Sequence, residues 1–188
     1  MESKSKNLDK NDIFVASIDI GTNSTHLLIA QVDSELKSFT IKFTEKSTTR
    51  LGERDEDGNL TEESIDRALE TLKRFKEYCS SYGVKRILAA ATSAVRESPN
   101  GKKFINKVKE EVGFQIELIS GAEEARLIYL GVLSGMDLEN KSHIILDIGG
   151  GSTEIILADS EDTRALTSAR VGAVRLKNDF FEDEPINN

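Results

Sequence analysis

The sequence has few cysteines and no long apolar runs. Its single cysteine, Cys79, cannot form an internal disulfide, which favours a reducing compartment. No apolar run approaches the roughly 20 residues needed to cross a bilayer. Residues 1–12 are charged and lack the apolar core of a secretory signal. We therefore expect a soluble cytoplasmic protein with no membrane partner and a flexible segment at 1–12.

Positive charge is also scarce. The 25 lysines and arginines are outnumbered by 33 aspartates and glutamates, which gives a net charge of −8. Proteins held to nucleic acid by charge alone are usually basic, so we expect no nucleic-acid partner, and any phosphate site must be built locally. With 38% hydrophobic residues, the chain has enough apolar side chains for a folded core.

A short segment occurs twice in the chain. Residues 19–30 read DIGTNSTHLLIA and residues 147–158 read DIGGGSTEIILA, so six of twelve positions are identical. A short apolar run precedes each copy, and an apolar run completes it. This pattern predicts two β-hairpins of the same design, each with an acid at the end of the first strand and a glycine-containing turn.

Such a turn has a specific chemistry. Its backbone N–H groups converge on one point and can bind an anion, and the acid at the strand end can hold a hard cation. Glycines that merely allow a tight turn are the alternative for either copy alone, but the duplication favours phosphate binding. The predicted phosphate-binding residues are Gly21, Asn23, Ser24, Gly149, Gly150, Gly151, Ser152 and Thr153. Ser24 and Thr153 can also simply hydrogen-bond the turn.

Between the two copies, apolar periodicity and capping residues predict further elements. We expect a strand at 39–49, a helix from a Thr61 cap to about Tyr82 that buries Cys79, and a buried, central strand at 84–91. A helix at 101–112, a strand at 115–119 and a helix from Ser120 towards Ser134 follow.

The predicted order is β-β-β-α-β-α-β-α, after which strands begin again. We therefore predict an α/β fold with a first lobe at 13–136 and the start of a second, similar lobe at 142–188. No helix is predicted after the last strands to cover the second sheet. The second lobe is thus expected to be incomplete, as in a truncation of something longer.

Four motifs together carry a family resemblance: 19–24 (DIGTNS), 92–96 (TSAVR), 119–126 (ISGAEEAR) and 147–154 (DIGGGSTE). From about Phe14 to Leu176 the chain resembles the exopolyphosphatase and guanosine pentaphosphatase (Ppx/GppA) phosphatase family. The resemblance implies the ribonuclease H-like lobes of the actin, sugar-kinase and Hsp70 fold group. The family's site lies in the cleft between two lobes, and its members continue well past the equivalent of Asn188.

The resemblance implies a catalytic role for Glu124, which matches the glutamate that orients and deprotonates the attacking water. That role requires a pKa raised by burial or by nearby anions; an exposed glutamate in a first helical turn is the alternative. Arg96 follows a strand end and matches a phosphate-binding arginine, with a surface ion pair to Glu97 as its alternative. Glu123 fits a capping box with Ser120, and an ion pair with Arg126 is expected.

A magnesium site is implied in the same way. Asp147 matches the family's metal-associated aspartate, Asp19 is its counterpart in the first hairpin, and Glu154 can join them or orient a water. Mg²⁺ is typically held by one or two carboxylates together with water and phosphate oxygens. His26 stands where Glu154 stands in the other hairpin, and we interpret it as structural.

The function implied is magnesium-dependent release of terminal phosphate from inorganic polyphosphate. Guanosine pentaphosphate is an alternative substrate, because it also presents a terminal anhydride. A non-catalytic phosphate- or nucleotide-binding fragment is an alternative of another class. A sugar kinase is disfavoured, since its adenosine pocket needs a complete second lobe. Unpaired strand edges in the second lobe make a homodimer possible.

Overall fold

A computed structural model describes residues 13–33, 35 and 37–181. Five strands form the first sheet: β1 (Ile13–Ile20), β2 (Thr25–Asp33), β3 (Ser38–Ser47), β4 (Arg86–Ala91) and β5 (Ile116–Leu118). Their spatial order is β3-β2-β1-β4-β5. The first three strands are antiparallel, whereas β4 pairs parallel to β1 and β5 pairs parallel to β4. The carboxyl ends of β1, β4 and β5 therefore meet at one edge of the sheet.

Four helices precede the second sheet in the described part of the chain. The helix α1 (Glu62–Ser81) connects β3 to β4, α2 (Ser93–Arg96) and α3 (Gly101–Glu111) lie between β4 and β5, and α4 (Gly121–Gly135) follows β5. The Thr61 side chain accepts a hydrogen bond from the N–H of Ser64 and caps α1. Gly83, at φ +66°, follows its C-terminal end, a conformation that costs glycine little. The predicted cap at Thr61 and the predicted end of the helix at about Tyr82 are both confirmed.

The main core lies between one face of the first sheet and the helices α1 and α3. Leu72 and Phe75 of α1 and Phe104 of α3 are fully buried there, against Ile18 and Ile29 of the sheet. Cys79 is buried in the same core, as predicted. Each large apolar side chain contributes roughly 1.5–3 kcal/mol by leaving water, so this layer stabilises the strands whose ends carry the first glycine turn.

The second sheet has three antiparallel strands in the order β6 (His143–Ile148), β7 (Thr153–Ala158) and β8 (Thr163–Ala169). The helix α5 (Ala173–Phe180) follows it. One sheet face packs on α4 through a small core that includes Ala125, Tyr129 and Ile156. The other face exposes Ile144, Leu146 and Ile148.

The structure corrects several expectations. The helix α5 follows the second sheet but buries none of its residues, so the expectation that no helix covers this sheet is not overturned. By contrast, α4, expected to belong to the first lobe at 13–136, packs on the second sheet. Its apolar residues Ala125 and Tyr129 find Ile156 there, a partner that local periodicity cannot reveal. The division at 136 and 142 stays a prediction.

The strand β4 is interior, but it is not buried on both faces. Leu88 is 50% exposed, because helices cover only the face that carries Ala89 and Ala91. The short helix α2 was not predicted, since four residues are too few for a periodic pattern. The third strand ends at Ser47 rather than residue 49. Among the described residues, no helix is long and apolar enough to cross a membrane.

Candidate active site

The two hairpin turns have the same backbone geometry, which confirms the duplication as a structural one. The N–H of Gly21 donates to the carbonyl of Ser24 at 3.0 Å, and the N–H of Gly149 donates to that of Ser152 at 2.9 Å. In each hairpin the strand-end aspartate pairs across the strands: Asp19 faces His26, and Asp147 faces Glu154. The two copies therefore share a backbone and differ in one charged position.

The two turns lie against each other. A β-carbon on Gly150 would stand 3.1 Å from Cβ of Thr22, and one on Gly151 would stand 2.6 Å from Oγ1 of Thr22 and overlap the Ser93 hydroxyl. Only glycine permits this approach. Thr22 and Ser93 are themselves joined by a hydroxyl–hydroxyl hydrogen bond of 2.9 Å. The strand ends of the two sheets thus bring both glycine turns to one place.

Carbonyl groups of both turns are bonded to the segments that back them. Gly52 N–H donates to Thr22 O at 2.7 Å, and the N–H groups of Ala173 and Val174 in α5 donate to Gly149 O and Gly150 O at 3.0 and 2.9 Å. Within the described part of the chain, the N–H groups of Gly150 and Gly151 have no acceptor. The second turn therefore directs its carbonyls to α5 and leaves N–H donors for an anion.

The remaining predicted phosphate-binding residues have mixed surroundings. Asn23 is exposed, with its carbonyl bonded to Arg50 N–H at 2.9 Å, and the carbonyl of Ser24 closes the first turn. Ser152 is buried. The Thr153 hydroxyl donates to Val171 O, which lies after β8, so this bond is not the hydrogen bond to the turn that was foreseen as its alternative. Their part in phosphate binding stays a prediction.

Arg96 and Glu124 form an ion pair at the carboxyl edge of the first sheet. Arg96 Nη1 donates to Glu124 Oε2 at 3.2 Å and to the carbonyl of Ile119 at 3.0 Å. Both side chains are largely buried, at 23% and 17% exposure. Neither foreseen alternative therefore holds: Arg96 pairs with Glu124 rather than Glu97, and Glu124 is not a freely solvated glutamate.

The start of α4 places Glu124 in its first turn. The Ser120 hydroxyl accepts from Glu123 N–H at 3.1 Å, and Ser120 O accepts from Glu124 N–H at 2.9 Å. The capping box is only half formed, because the Glu123 carboxylate turns to Arg126, which donates to it at 2.7 and 2.8 Å. The predicted Glu123–Arg126 ion pair is confirmed.

The surroundings of Glu124 raise its pKa from 4.5 to about 7. Burial is the largest cause, and the negative charges of Glu154 and Asp19 add to it, against the opposing effect of Arg96. Glu154 is only 2% exposed and accepts a hydrogen bond of 2.7 Å from the Ser168 hydroxyl. A carboxylate with a pKa near 7 can accept a proton at neutral pH.

Asp19 and Asp147 also interact. Desolvation by the surrounding protein raises the pKa of Asp19, the nearby His26 lowers it, and the charge of Asp147 raises it again. Among the described residues, however, no three histidines, cysteines, aspartates or glutamates are grouped closely enough to hold a metal ion. The three predicted ligands therefore do not form a closed set. Asp19 and Asp147 still fit Mg²⁺, which needs only one or two carboxylates and draws its other oxygens from water and phosphate.

Sequence reasoning missed part of this region. Thr22 and Ser93 lie within recognised motifs, so their hydroxyls could have been proposed as site residues. Arg54 and Arg175 had no local signal, because their positions depend on the loop after β3 and on α5 reaching the second turn. These four residues and Glu97 line a cleft beside Gly151.

Comparison with known proteins identifies the family. Residues 28–188 match the model of the Ppx/GppA phosphatase family, and the chain belongs to this family. It is 40% identical over 187 residues to a bifunctional 3-dehydroquinate synthase/phosphatase of Fusobacterium nucleatum. It is 32% identical over 180 residues to a guanosine-5'-triphosphate,3'-diphosphate pyrophosphatase of Photobacterium profundum, and over 169 residues to exopolyphosphatase 1 of Mycobacterium tuberculosis.

Solved structures agree with the fold. An exopolyphosphatase from Cytophaga hutchinsonii superposes with a TM-score of 0.87 at 36% identity, covering 93% of this chain and 56% of the other. A Ppx/GppA family member from Aquifex aeolicus gives 0.76 at 34% identity, with 92% and 56% covered. The predicted α/β fold is confirmed, and it is the fold of solved members of this family. The matches to the three curated relatives include 95%, 94% and 89% of this chain. They include only 28%, 35% and 49% of the relatives, so the chain spans less than half the length of each.

Proposed function

We propose that this chain carries the catalytic cleft of a magnesium-dependent phosphohydrolase that releases terminal phosphate from inorganic polyphosphate. The observation that carries the proposal is the buried Arg96–Glu124 pair beside two facing glycine turns. Family membership supports the same chemistry, and a relative named exopolyphosphatase supports the substrate. Cytoplasmic location is part of the proposal.

The residues divide the work among binding, proton transfer and charge neutralisation. The free N–H groups of Gly150 and Gly151 bind terminal phosphate oxygens, together with the Arg96 guanidinium. Asp19 and Asp147 would hold Mg²⁺, which neutralises charge on the phosphates when it is bound. The acids of this cleft otherwise repel a polyanion, so a cation and an arginine are both required.

Glu124 supplies the proton acceptor. It orients a water so that the water oxygen bonds to the terminal phosphorus while the bond from phosphorus to the bridging oxygen breaks. The electron pair of that bond leaves with the shortened chain, and the water proton passes to Oε of Glu124. The pKa of about 7 lets Glu124 take this proton at neutral pH and lose it afterwards.

The test is phosphate release from long-chain polyphosphate with Mg²⁺, by the wild type and by Glu124→Gln. We expect the substitution to lower release at least about 100-fold, because general-base catalysis contributes about 10²–10⁴, with orthophosphate affinity largely kept. Arg126→Gln serves as the control, since Arg126 is an exposed residue of the same helix. Equal release by Glu124→Gln and the wild type would remove Glu124 from this role.

Guanosine pentaphosphate is the second candidate substrate. One relative is named guanosine-5'-triphosphate,3'-diphosphate pyrophosphatase, and this substrate presents the same terminal anhydride. Rates of phosphate release from the two substrates under one set of conditions distinguish them. Phosphate binding with no release from either would instead favour the non-catalytic reading.

A further inference from the structure

Glu97 is a largely buried carboxylate that the proposed mechanism does not use. It directly follows Arg96 at the C-terminal end of α2, where its N–H donates to the carbonyl of Ser93 at 3.0 Å. Its side chain is only 14% exposed. Arg96 pairs with Glu124 instead, so Glu97 does not neutralise its neighbour. An acid beside a site for polyanions repels the substrate, and its presence there weakens binding unless it has another effect.

The partner of Glu97 comes from the segment that follows the second sheet. Arg175, in the first turn of α5, donates from Nη2 to Glu97 Oε2 at 2.6 Å. The two side chains are 32% and 14% exposed, so salt screens this ion pair less than it screens a surface pair. Arg170 lies 4.0 Å from the same carboxylate oxygen but is 79% exposed, and Arg54, which also feels the charge of Glu97, is bonded to other acceptors. Arg175 is therefore the principal partner.

Arg175 also holds the second glycine turn. Its Nε donates to the carbonyl of Gly151 at 3.0 Å. The backbone N–H groups of Arg175 and Val174 donate to the carbonyl of Gly150 at 3.1 and 2.9 Å. A carbonyl and the N–H of the next residue share one rigid plane. These bonds therefore set the directions of the N–H groups of Gly151 and Ser152, two of the predicted phosphate-binding residues.

Apolar packing contributes little to the position of α5. The helix buries none of its residues, and its apolar side chains Leu176 and Phe180 are exposed. Its place against the second turn therefore depends on backbone hydrogen bonds and on the two guanidinium bonds of Arg175. Without Glu97, the guanidinium loses the acceptor that fixes its orientation, and its bond to the turn must restrain a long side chain unaided.

Direct contact with phosphate is the alternative role for Arg175, and the two roles give Glu97 opposite effects. If Arg175 contacts the anion directly, Glu97 only competes for its positive charge, and removing Glu97 tightens anion binding. If Arg175 acts by holding the turn, removing Glu97 weakens anion binding even though a negative charge is lost. The sign of the change therefore separates the two roles.

We propose that Glu97 is a positioning residue of the phosphate site and that it acts through Arg175. The carboxylate fixes the guanidinium, the guanidinium fixes the carbonyl of Gly151, and the turn keeps its N–H groups directed at the terminal phosphate. The inference rests on the proposed function, because that function assigns phosphate binding to this turn. Since Glu97 adjoins Arg96 in the chain, the same ion pair keeps the second turn beside the phosphate-binding arginine. An acidic residue thus promotes the binding of a polyanion.

Isothermal titration with orthophosphate in the presence of Mg²⁺ measures this effect without turnover. Glu97→Ala should weaken binding about tenfold, the loss expected when a hydrogen bond to a charged group is removed. Glu97→Gln should fall between Glu97→Ala and the wild type, since its amide oxygen still accepts from Arg175. Glu111→Ala is the matched control and should bind as the wild type does, because it breaks an ion pair of 2.8 Å with Lys73 that joins α3 to α1.

Phosphate release from polyphosphate gives a second readout. Loss of positioning for bound phosphate predicts a raised KM with kcat little changed, whereas Glu124→Gln lowers kcat. A variant that only folds less completely would instead lose kcat in proportion to its unfolded fraction. A lowered kcat with an unchanged KM in both Glu97 variants would therefore contradict the positioning role.

A double variant shows whether Glu97 acts through Arg175. In an Arg175→Met background, which lacks both guanidinium bonds, Glu97→Ala should no longer weaken orthophosphate binding and should tighten it slightly, because only a negative charge is removed. Tighter binding by Glu97→Ala in the wild-type background, or an equal loss in both backgrounds, overturns the inference and leaves the proposed function standing. A wild type that neither binds orthophosphate nor releases it overturns the proposed function, and the inference with it.

Discussion

The two glycine hairpins share the same turn hydrogen bond and strand pairing, but the residues around them differ. Each closes its turn with one glycine N–H bonded to a serine carbonyl, and each has a strand-end aspartate. Across the strands, however, Asp19 faces an exposed histidine, His26, whereas Asp147 faces Glu154, which is 2% exposed. The two copies therefore have the same backbone. They differ in electrostatics because one has an exposed histidine where the other has a buried glutamate.

The segments behind the two turns differ in the same way. Gly52 backs the first turn, and a β-carbon there would meet the methyl of the Thr22 side chain. Gly172 backs the second, and a β-carbon there would lie 2.5 Å from the backbone carbonyl of Gly150. A β-carbon on Gly52 would also lie 3.2 Å from the carbonyl oxygen of Thr22, so both positions resist a side chain, and Gly172 resists it more because the three nearest atoms there all belong to the backbone.

The largest effect is expected from substituting these glycines. Gly172→Ala should lower the free energy of unfolding by about 3 kcal/mol, the upper range for overpacking. Gly52→Ala should cost about 1–2 kcal/mol, because Thr22 must shift although its hydroxyl is bonded to Ser93. Urea unfolding of both variants measures the difference. Gly131→Ala, in open space on α4, should be neutral or stabilising and serves as the control. Equal costs at Gly52 and Gly172 would contradict the comparison.

A smaller effect on stability is expected from removing the charge of Glu124, whose pKa is raised by burial and by Glu154 of the second hairpin. The folded pKa of about 7 lies above the ordinary 4.5, so the folded state binds more protons, and stability falls as pH rises through this interval. The full difference between 4.5 and about 7, at about 1.4 kcal/mol per pKa unit, would give roughly 3.5 kcal/mol. Because solvent partly screens a side chain that is 17% exposed, Glu124→Gln should raise the free energy of unfolding by about 2 kcal/mol at pH 8.

The measurement is urea unfolding in EDTA at pH 8 and at pH 4. At pH 4 Glu124 is protonated in both states, so the gain should disappear. A substitution that destabilises the chain at pH 8 would show that the ion pair with Arg96 outweighs the cost of burying the Glu124 charge.

The smallest expected effect is a change in the pKa of a carboxyl group when His26 or Glu154, which occupy equivalent positions in the two hairpins, is replaced. Glu154→Gln should lower the pKa of Glu124, because Glu154 helps to raise it, whereas His26→Gln should raise the pKa of Asp19, because His26 lowers it. Carboxyl chemical shifts in a ¹³C-labelled, metal-free sample measure both. Shifts of the same sign would show that the hairpins are not electrostatically distinct.

Local features of the fold could be predicted from the sequence. The glycine turns, the Thr61 and Ser120 caps and the buried face of α1 each depend on residues within a few positions of one another. Glu124 was predicted as a base through the family motif, and its surroundings agree with the need for a raised pKa. These properties are set by short-range hydrogen bonds and by helical periodicity.

What could not be predicted depends on contacts between distant segments. The packing of α4 on Ile156, the choice of Glu124 over Glu97 as the partner of Arg96, and the meeting of Arg54 with Arg175 all join residues far apart in the chain. No local pattern specifies which apolar face or which carboxylate a residue will find. The metal ligands stay a prediction, because among the described residues the three acids are not grouped as one set.

The packing of α4 attaches the proposed base to the second sheet, whereas its partner Arg96 belongs to the first. Arg96 is carried by the first sheet, through the turn after β4, whereas Glu124 stands on a helix whose apolar face is fixed to β7 and β8. Any rotation of one sheet against the other changes the separation of the pair. Separation would have two opposing effects on the pKa of Glu124, because water reaching the carboxylate would lower it and the loss of Arg96 would raise it. Glu154 lies on the sheet against which α4 packs, so its effect on Glu124 does not depend on that separation.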